Sequence, residues 1–81
     1  MRVAFSQRSV RQYSALSAER KAKFDKQVGF LLMNLRHPSL RAKKYSESRN
    51  VWQARIDATY RFYFRIEDDI YHILSIIPHP K

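Results

Sequence analysis

The sequence contains no cysteine among its 81 residues. A disulfide framework and a thiolate metal site are therefore both excluded, and the small core has to be stabilised by packing and hydrogen bonds alone. A chain without thiols suits a reducing compartment, so we expect a cytoplasmic location.

Glycine and proline are also scarce, with one Gly and three Pro. No Ser/Gly-rich segment or run of like charges divides the chain, so we expect residues 1–81 to form one domain. No stretch reaches the roughly 18 apolar residues of a membrane span, and the N-terminal residues lack the apolar segment of a signal peptide. We therefore expect a chain that is neither exported by that route nor inserted in a membrane.

Acidic residues are few, since seven Asp and Glu stand against 16 Lys and Arg, for a formal net charge of +9. This surplus favours a polyanionic partner, because it speeds association with phosphate backbones and other acidic surfaces. Hydrophobic residues nevertheless make up 44% of the chain, which argues against general disorder. A highly soluble basic domain without such a partner is the alternative interpretation.

The first half of the chain predicts one strand and two helices. Residues 2 to 6 suit a short strand, and Ser6 or Ser9 suits the N-cap of a first helix that ends near residue 14. Ser17 suits the cap of a second helix over residues 17–35. Apolar residues recur there at the spacing of one helical face: Phe24, Val28, Leu31, Leu32 and Leu35.

After Leu40 the hydrophobic period falls to two, which predicts antiparallel strands. Their expected positions are near residues 41–46, 50–57, 60–66 and 70–77. We therefore predict a two-layer α+β fold, in which an N-terminal strand and a helical hairpin pack on an antiparallel β-meander.

Basic and polar side chains are expected to gather on the face of this meander that points away from the helices. Strand alternation gives that face five of them: Gln53, Arg55, Arg61, Tyr63 and Arg65. The apolar residues of the strands over residues 50–57 and 60–66 both face the helices only if the numbers of each two residues that lie opposite one another sum to an even number. This condition implies a three-residue loop near Asp57 and places Arg55 opposite Arg61 or Tyr63.

Like charges this close destabilise a sheet unless an anion joins them, and a phosphate would resolve the conflict. Arg41, Lys43 and Lys44 belong to the predicted strand near residues 41–46, which precedes the strand over residues 50–57, and they suit contacts to a nucleic-acid backbone. For the arginines of the meander face, the alternative is that they are ordinary solvated residues on a sheet covered on one side. For the cations of residues 41–44, the alternative is that they protect an edge strand from aggregation.

His79 follows the last predicted strand, where an imidazole ring suits proton transfer. A passive residue near the end of the chain is the alternative, while His72 fits a sheet position and His37 a loop. The sequence shows no HExxH motif, Cys/His set or Gly-rich phosphate loop, so neither a metal nor another cofactor is expected. RNA is cut without metal when the 2′-OH attacks the adjacent phosphorus, which requires a base, an acid and cations. That chemistry restricts the substrate to RNA.

Four segments together resemble the RelE/ParE toxin superfamily, and the similarity spans nearly the whole chain. They are Arg36-His37-Pro38-Ser39-Leu40, Trp52-Gln-Ala-Arg55-Ile-Asp, Tyr60-Arg61-Phe-Tyr63-Phe and Ile76-Ile-Pro-His79. The second and third segments are the most specific part of the resemblance. Two positions depart from the pattern: Gln53 stands where one RelE-type pattern has Lys, and no Tyr follows the last predicted strand.

The resemblance implies a β-α-α-β-β-β fold, an antitoxin protein as partner and, in the RelE branch, cleavage of mRNA in the ribosomal A site beside 16S rRNA. It implies that Arg55, Arg61 and His79 match active-site positions. Together with the residue patterns, this gives the candidate catalytic residues His79, Arg55, Arg61 and Arg65. The candidate substrate-binding residues are Arg41, Lys43, Lys44, Gln53 and Tyr63.

Three functions remain open from the sequence. The first is a ribosome-dependent, metal-independent endoribonuclease toxin, in which Tyr63 or Trp52 stacks a base unless Trp52 belongs to the core. The second is a ParE-like toxin that binds DNA gyrase without enzymatic activity. The third is an inactive basic module of the same fold that binds RNA or protein.

Overall fold

A computed structural model describes residues 1–79, which form one five-stranded sheet and two helices. The strand order is β1-β5-β4-β3-β2. The predicted two-layer α+β fold is confirmed. In chain order the elements are β1 (Arg2–Phe5), α1 (Gln7–Ser14), α2 (Ala18–Met33), a 3₁₀ turn (Pro38–Leu40), β2 (Lys43–Ser46), β3 (Val51–Arg55), β4 (Tyr60–Glu67) and β5 (Ile70–Pro78).

The N-terminal strand joins the sheet as an edge strand, so the sheet is mixed. Strand β1 pairs in parallel with β5, with Arg2 opposite Ile70 and Phe5 opposite Ile73, whereas β2 to β5 form the predicted antiparallel meander. The sequence predicts the β1 strand but not its partner, because a parallel pair far apart in sequence has no connecting turn to indicate it.

Two serines begin the two helices. Ser6 Oγ accepts a hydrogen bond from the Ser9 N–H at 3.1 Å, and Ser17 Oγ accepts one from the Arg20 N–H at 3.1 Å. The fully buried Ser9 hydroxyl also donates to the Ile73 carbonyl at 3.0 Å, which attaches α1 to β5. Of the two predicted caps for α1, Ser6 is therefore the one used.

Helix α2 ends two residues before the predicted boundary. Asn34 is extended, and its side-chain oxygen accepts a hydrogen bond from the Arg36 N–H at 2.9 Å, a local bond that competes with helix continuation. Neither helix of residues 1–79 combines the length and the hydropathy that crossing a membrane requires.

The core lies between α2 and the sheet. Phe24 and Leu31 from α2 are fully buried, and the Phe24 ring packs edge-on against Phe62 of β4 with ring centroids 5.2 Å apart. Leu32 is an exception to the predicted apolar stripe, because 43% of it is exposed.

One polar side chain, that of Gln27, crosses this core to hold the loops around it. Its amide nitrogen donates to the carbonyls of Ser39 at 3.0 Å and Arg55 at 2.7 Å, and its oxygen accepts from the Ser39 hydroxyl at 2.9 Å. Gln27 is only 4% exposed. It therefore joins α2, the 3₁₀ turn and the end of β3.

We expect Gln27→Leu to lower the free energy of unfolding by about 1–3 kcal/mol, because it leaves buried carbonyls without a donor. Urea unfolding followed by the fluorescence of Trp52 measures this change. Gln7→Leu is the matched control, since Gln7 is exposed on α1, and it should change stability by less than about 0.5 kcal/mol. Equal effects of the two changes would contradict the role given to Gln27.

Candidate active site

A hollow of about 220 Å³ opens on the sheet face away from the helices, where β2, β3, β4 and the segment after β5 meet. We call it the basic hollow. Its lining residues are Arg41, Lys43, Gln53, Arg55, Arg61 and His79. Six of the nine candidate residues proposed from the sequence therefore lie together.

The pairing of β3 with β4 explains why two arginines face each other in the basic hollow. Arg55 lies directly opposite Arg61, and the Ile56 N–H donates to the Tyr60 carbonyl at 3.1 Å across a three-residue loop. The predicted loop length and even-sum pairing are thus confirmed, and Arg61 is the one of the two predicted partners that faces Arg55. One register places the apolar residues of both strands against the helices and both arginines on the other face.

The cations of the basic hollow have no carboxylate partner among residues 1–79. The ion pairs of that part of the chain involve none of Arg41, Lys43, Arg55 and Arg61. Arg61 Nη1 instead donates to the main-chain carbonyls of Asp57 at 2.7 Å and Tyr60 at 3.0 Å. These neutral acceptors orient the guanidinium without neutralising it, so the hollow suits an anion.

His79 reaches the basic hollow through the loop between β3 and β4. Pro78 is the last residue of β5 and pairs with Tyr60, and the His79 N–H donates to the Thr59 carbonyl at 2.6 Å. His79 is exposed. An exposed imidazole beside Arg61 can exchange protons with both solvent and a bound substrate.

Arg41 enters the hollow from an unusual backbone conformation. Its φ of 47° is left-handed, and it ends the 3₁₀ turn with its N–H donating to the Pro38 carbonyl at 3.3 Å. A non-glycine residue adopts this region at some cost. Arg41 and Arg55 also border a larger groove of about 560 Å³ that extends towards Lys23 and Lys26 of α2.

Lys44, predicted as a substrate-binding residue, lies outside the basic hollow. It pairs with Trp52, so alternation turns it towards the opposite face from Lys43. Its ammonium donates to the Asn50 side chain at 2.9 Å, lies 3.7 Å from the Glu47 carboxylate and sits over the Trp52 ring. Trp52 itself packs against the core, as its alternation predicts.

Arg65 and Tyr63 also lie outside the basic hollow, although they share its sheet face. Arg65 is four residues beyond Arg61, about 13 Å along the strand, where it lies opposite His72 and 4.0 Å from the Glu67 carboxylate. Tyr63 is opposite Gln53 and lines a neighbouring hollow. The alternation of the sequence predicted the sheet face of Tyr63 and Arg65 correctly, but it did not indicate how far along β4 they lie from the basic hollow.

No protein-family model matches the sequence, and no curated protein matches it either. Solved structures match its fold. The YoeB/ParE toxin from Agrobacterium tumefaciens has a TM-score of 0.83 at 15% identity, covering 99% of this chain and 100% of that one. A chain of the YoeB dimer from Staphylococcus aureus has a TM-score of 0.82 at 16% identity, over 99% and 98%. A chain of the archaeal RelE–RelB complex from Pyrococcus horikoshii OT3 has a TM-score of 0.80 at 18% identity, over 95% and 92%.

The chain has the fold of the RelE/ParE toxins. The resemblance read from the sequence is therefore confirmed at the level of the fold. Within this RelE/ParE fold, the basic hollow lies where the ends of β3, β4 and β5 come together.

Asp57 holds the loop beside the site, a role that the sequence did not reveal. Its carboxylate accepts from Arg20 Nε at 2.9 Å and from the N–H groups of Thr59 and Tyr60 at 2.9 and 2.8 Å. Burial raises the pKa of this carboxyl, but these hydrogen bonds outweigh it and lower the pKa to about 2. An Asp at the start of a turn is the one sequence signal for such a role.

The lowered pKa of Asp57 predicts a loss of stability in acid. In the unfolded chain its pKa is about 3.9, so the stabilisation is complete above that pH and disappears as the pH falls towards 2. We expect Asp57→Asn to be less stable than the unsubstituted protein at pH 7, by about 2 kcal/mol, and to lose less stability between pH 4 and 2.

Urea unfolding at a series of pH values measures the difference between the two proteins. Asp69→Asn is the matched control, because Asp69 is exposed at the turn between β4 and β5 and Asn tolerates its left-handed conformation. Parallel pH profiles of the unsubstituted protein and Asp57→Asn would contradict the lowered pKa.

Proposed function

We propose that this chain is the toxin of a toxin–antitoxin pair and that it cuts mRNA on the ribosome at the basic hollow. The observation that carries the proposal is four cations around one hollow, without carboxylate partners in residues 1–79, and with the exposed His79 at the same place. This arrangement suits a phosphodiester whose charge increases during reaction.

In the proposed reaction the ribose 2′-oxygen attacks the adjacent phosphorus. The O2′–P bond forms and the P–O5′ bond breaks, which gives a 2′,3′-cyclic phosphate and a free 5′-hydroxyl. A base removes the 2′-OH proton, and an acid supplies a proton to the departing O5′. His79 serves one of these two proton transfers, and water or a second side chain serves the other.

The arginines stabilise the charge that develops on the phosphorane oxygens. Arg55 and Arg61 lie on opposite strands, so they can donate to the phosphate from both sides. Arg61 is already oriented by the carbonyls of Asp57 and Tyr60, so little reorganisation is needed. Arg41, Lys43 and Gln53 bind the flanking backbone and sugar.

A protein partner that inhibits this activity is part of the proposal. Solved structures with the same fold include an archaeal RelE–RelB complex and a YoeB–YefM complex from Staphylococcus aureus. By this likeness we propose that the chain binds a cognate antitoxin. A net charge of +9 would attract an acidic segment of such a partner to the same hollow that attracts RNA.

The test is to express the chain briefly in cells and to map new mRNA 5′ ends on translated and untranslated copies of one transcript. We expect cuts in codon register on the translated copy alone, with 5′-hydroxyl ends. His79→Ala should slow cleavage by about 10²- to 10⁴-fold, as the loss of a general acid or base does. Intact mRNA with arrested DNA replication would instead indicate a gyrase poison.

Arg61 and Arg65 provide a matched pair of variants, since both are arginines on the same face of β4. We expect Arg61→Ala to reduce cleavage by about 10²- to 10³-fold, because one donor to the phosphorane is lost. Arg65→Ala should stay within a few-fold of the unsubstituted protein, because Arg65 lies outside the basic hollow. Equal losses would contradict a site confined to the hollow. Thermal unfolding of both variants confirms that they fold.

A further inference from the structure

A second hollow of about 250 Å³ lies beside the basic hollow on the same face of the sheet. We call it the tyrosine hollow. Tyr45 and Tyr63 form its aromatic wall, Val51 and Leu74 give it apolar surface, and Arg8 and Arg49 add positive charge. None of these six residues lines the basic hollow.

The two hollows are neighbours along three strands of the sheet. Each of the strands β2, β3 and β4 has a residue in the basic hollow and, two positions along, a residue in the tyrosine hollow: Lys43 and Tyr45, Gln53 and Val51, and Arg61 and Tyr63. Two strand residues span about 7 Å. That is close to the distance between neighbouring nucleotides of an extended strand, so adjacent nucleotides can occupy adjacent hollows.

Two irregularities of the sheet border the tyrosine hollow. The β2–β3 register shifts between Lys44 and Ser46, which makes Tyr45 an extra residue. The β4–β5 register shifts so that Ser75 and Ile73 face successive residues of β4, which makes Leu74 an extra residue. Bulges redirect side chains and are frequent near active sites. Both extra residues line this hollow.

Tyr45 is held in place and yet open to a ligand. Its ring meets Tyr63 at 71° with ring centroids 4.9 Å apart, and Tyr63 is buried on the sheet. Tyr45 remains 61% exposed. An exposed ring fixed by a buried neighbour suits stacking against a flat group, because little rotamer freedom is lost on binding.

The charges favour a nucleic acid as the occupant. Neither Arg8 nor Arg49 takes part in an ion pair within residues 1–79, and the hollow contains no acidic side chain. An aromatic platform with flanking cations binds a base and its phosphates together. The basic hollow two residues away extends the same positive surface.

We propose that the tyrosine hollow binds the base of a nucleotide next to the phosphodiester that is cut, with Tyr45 stacking on the base and Arg8 and Arg49 contacting the flanking phosphates. The inference rests on the proposed function and adds a base-binding subsite to it. Because stacking tolerates any base, this subsite contributes affinity and position more than sequence selectivity.

The test uses fluorescence anisotropy with a labelled single-stranded RNA hexamer in which every ribose is 2′-O-methylated, so that it cannot be cut. A second set of hexamers lacks one base at each position in turn. We expect Tyr45→Ala to weaken binding of the intact hexamer at least about 5-fold, the lower end for the loss of one base–aromatic stack. Tyr45→Phe should bind within about twofold of the unsubstituted protein.

The abasic hexamers identify the partner of Tyr45. One abasic position should weaken binding to the unsubstituted protein but have little further effect on Tyr45→Ala, because both changes remove the same stack. Arg49→Ala should reduce the slope of log affinity against log salt by about 0.7, as expected for one lost phosphate contact on a single strand. Arg36→Ala is the control, since it removes one exposed arginine from the loop after α2.

The results also separate this inference from the proposed function. The inference would be overturned if Tyr45→Ala bound every hexamer as tightly as the unsubstituted protein does. It would also be overturned if the unsubstituted protein bound no hexamer. Either result would favour a protein as the occupant of the tyrosine hollow. Hexamer binding that depends on Tyr45, with mRNA intact in cells, would uphold the base site and overturn the nuclease. If cleavage depends on Arg61 but hexamer binding does not depend on Tyr45, the nuclease is upheld and the base site is overturned.

Discussion

The arrangement of the basic hollow depends on the hydrogen bonds of the Gln27 side-chain amide. It joins α2, the 3₁₀ turn and the end of β3 through three hydrogen bonds, two of them to main-chain carbonyls. Arg41 follows that turn directly, and Arg55 carries one of the accepting carbonyls. A buried amide whose donors and acceptor are used in this way fixes a single geometry, because any displacement leaves polar groups without partners. Two cations of the basic hollow are therefore positioned from the opposite side of the sheet.

The like charges of the basic hollow destabilise the sheet on which they lie. Arg55 and Arg61 are directly paired like charges, and the cations around them have no carboxylate partner within residues 1–79. The apolar residues of the same strands offset this repulsion, since Ala54 and Phe62 pair on the other face and are fully buried. The loop between the two strands is held separately by the ion pair of Asp57 with Arg20. Binding of an anion thus relieves a repulsion that folding creates, which favours phosphate over a neutral ligand.

The sequence predicted the elements that depend on local patterns and missed those that depend on distant contacts. The serine caps, the apolar face of α2 and the even-sum pairing that places Arg55 opposite Arg61 or Tyr63 follow from spacing alone. The parallel β1–β5 pair and the Gln27 hydrogen bonds join residues far apart in the chain, so no local pattern indicates them. The bulge at Tyr45 shifts one strand against the next, and a strict alternation cannot predict such a shift. Of the nine candidate residues, Lys44 turns to the opposite face of the sheet, and Tyr63 and Arg65 share the face of the basic hollow but lie farther along β4.

The parallel pairing of β1 with β5 also governs when the molecule becomes complete during synthesis. Ser6, which follows β1, bonds to Leu74, 68 residues later, and β1 finds its hydrogen-bonding partner only once β5 has been made. Contacts this distant form late, because a long loop must be closed before they are gained. His79 lies beyond β5 and needs the same strand in place. A nascent chain therefore carries its cations long before it carries an assembled hollow, because the basic hollow is complete only after β5 has been made and has paired.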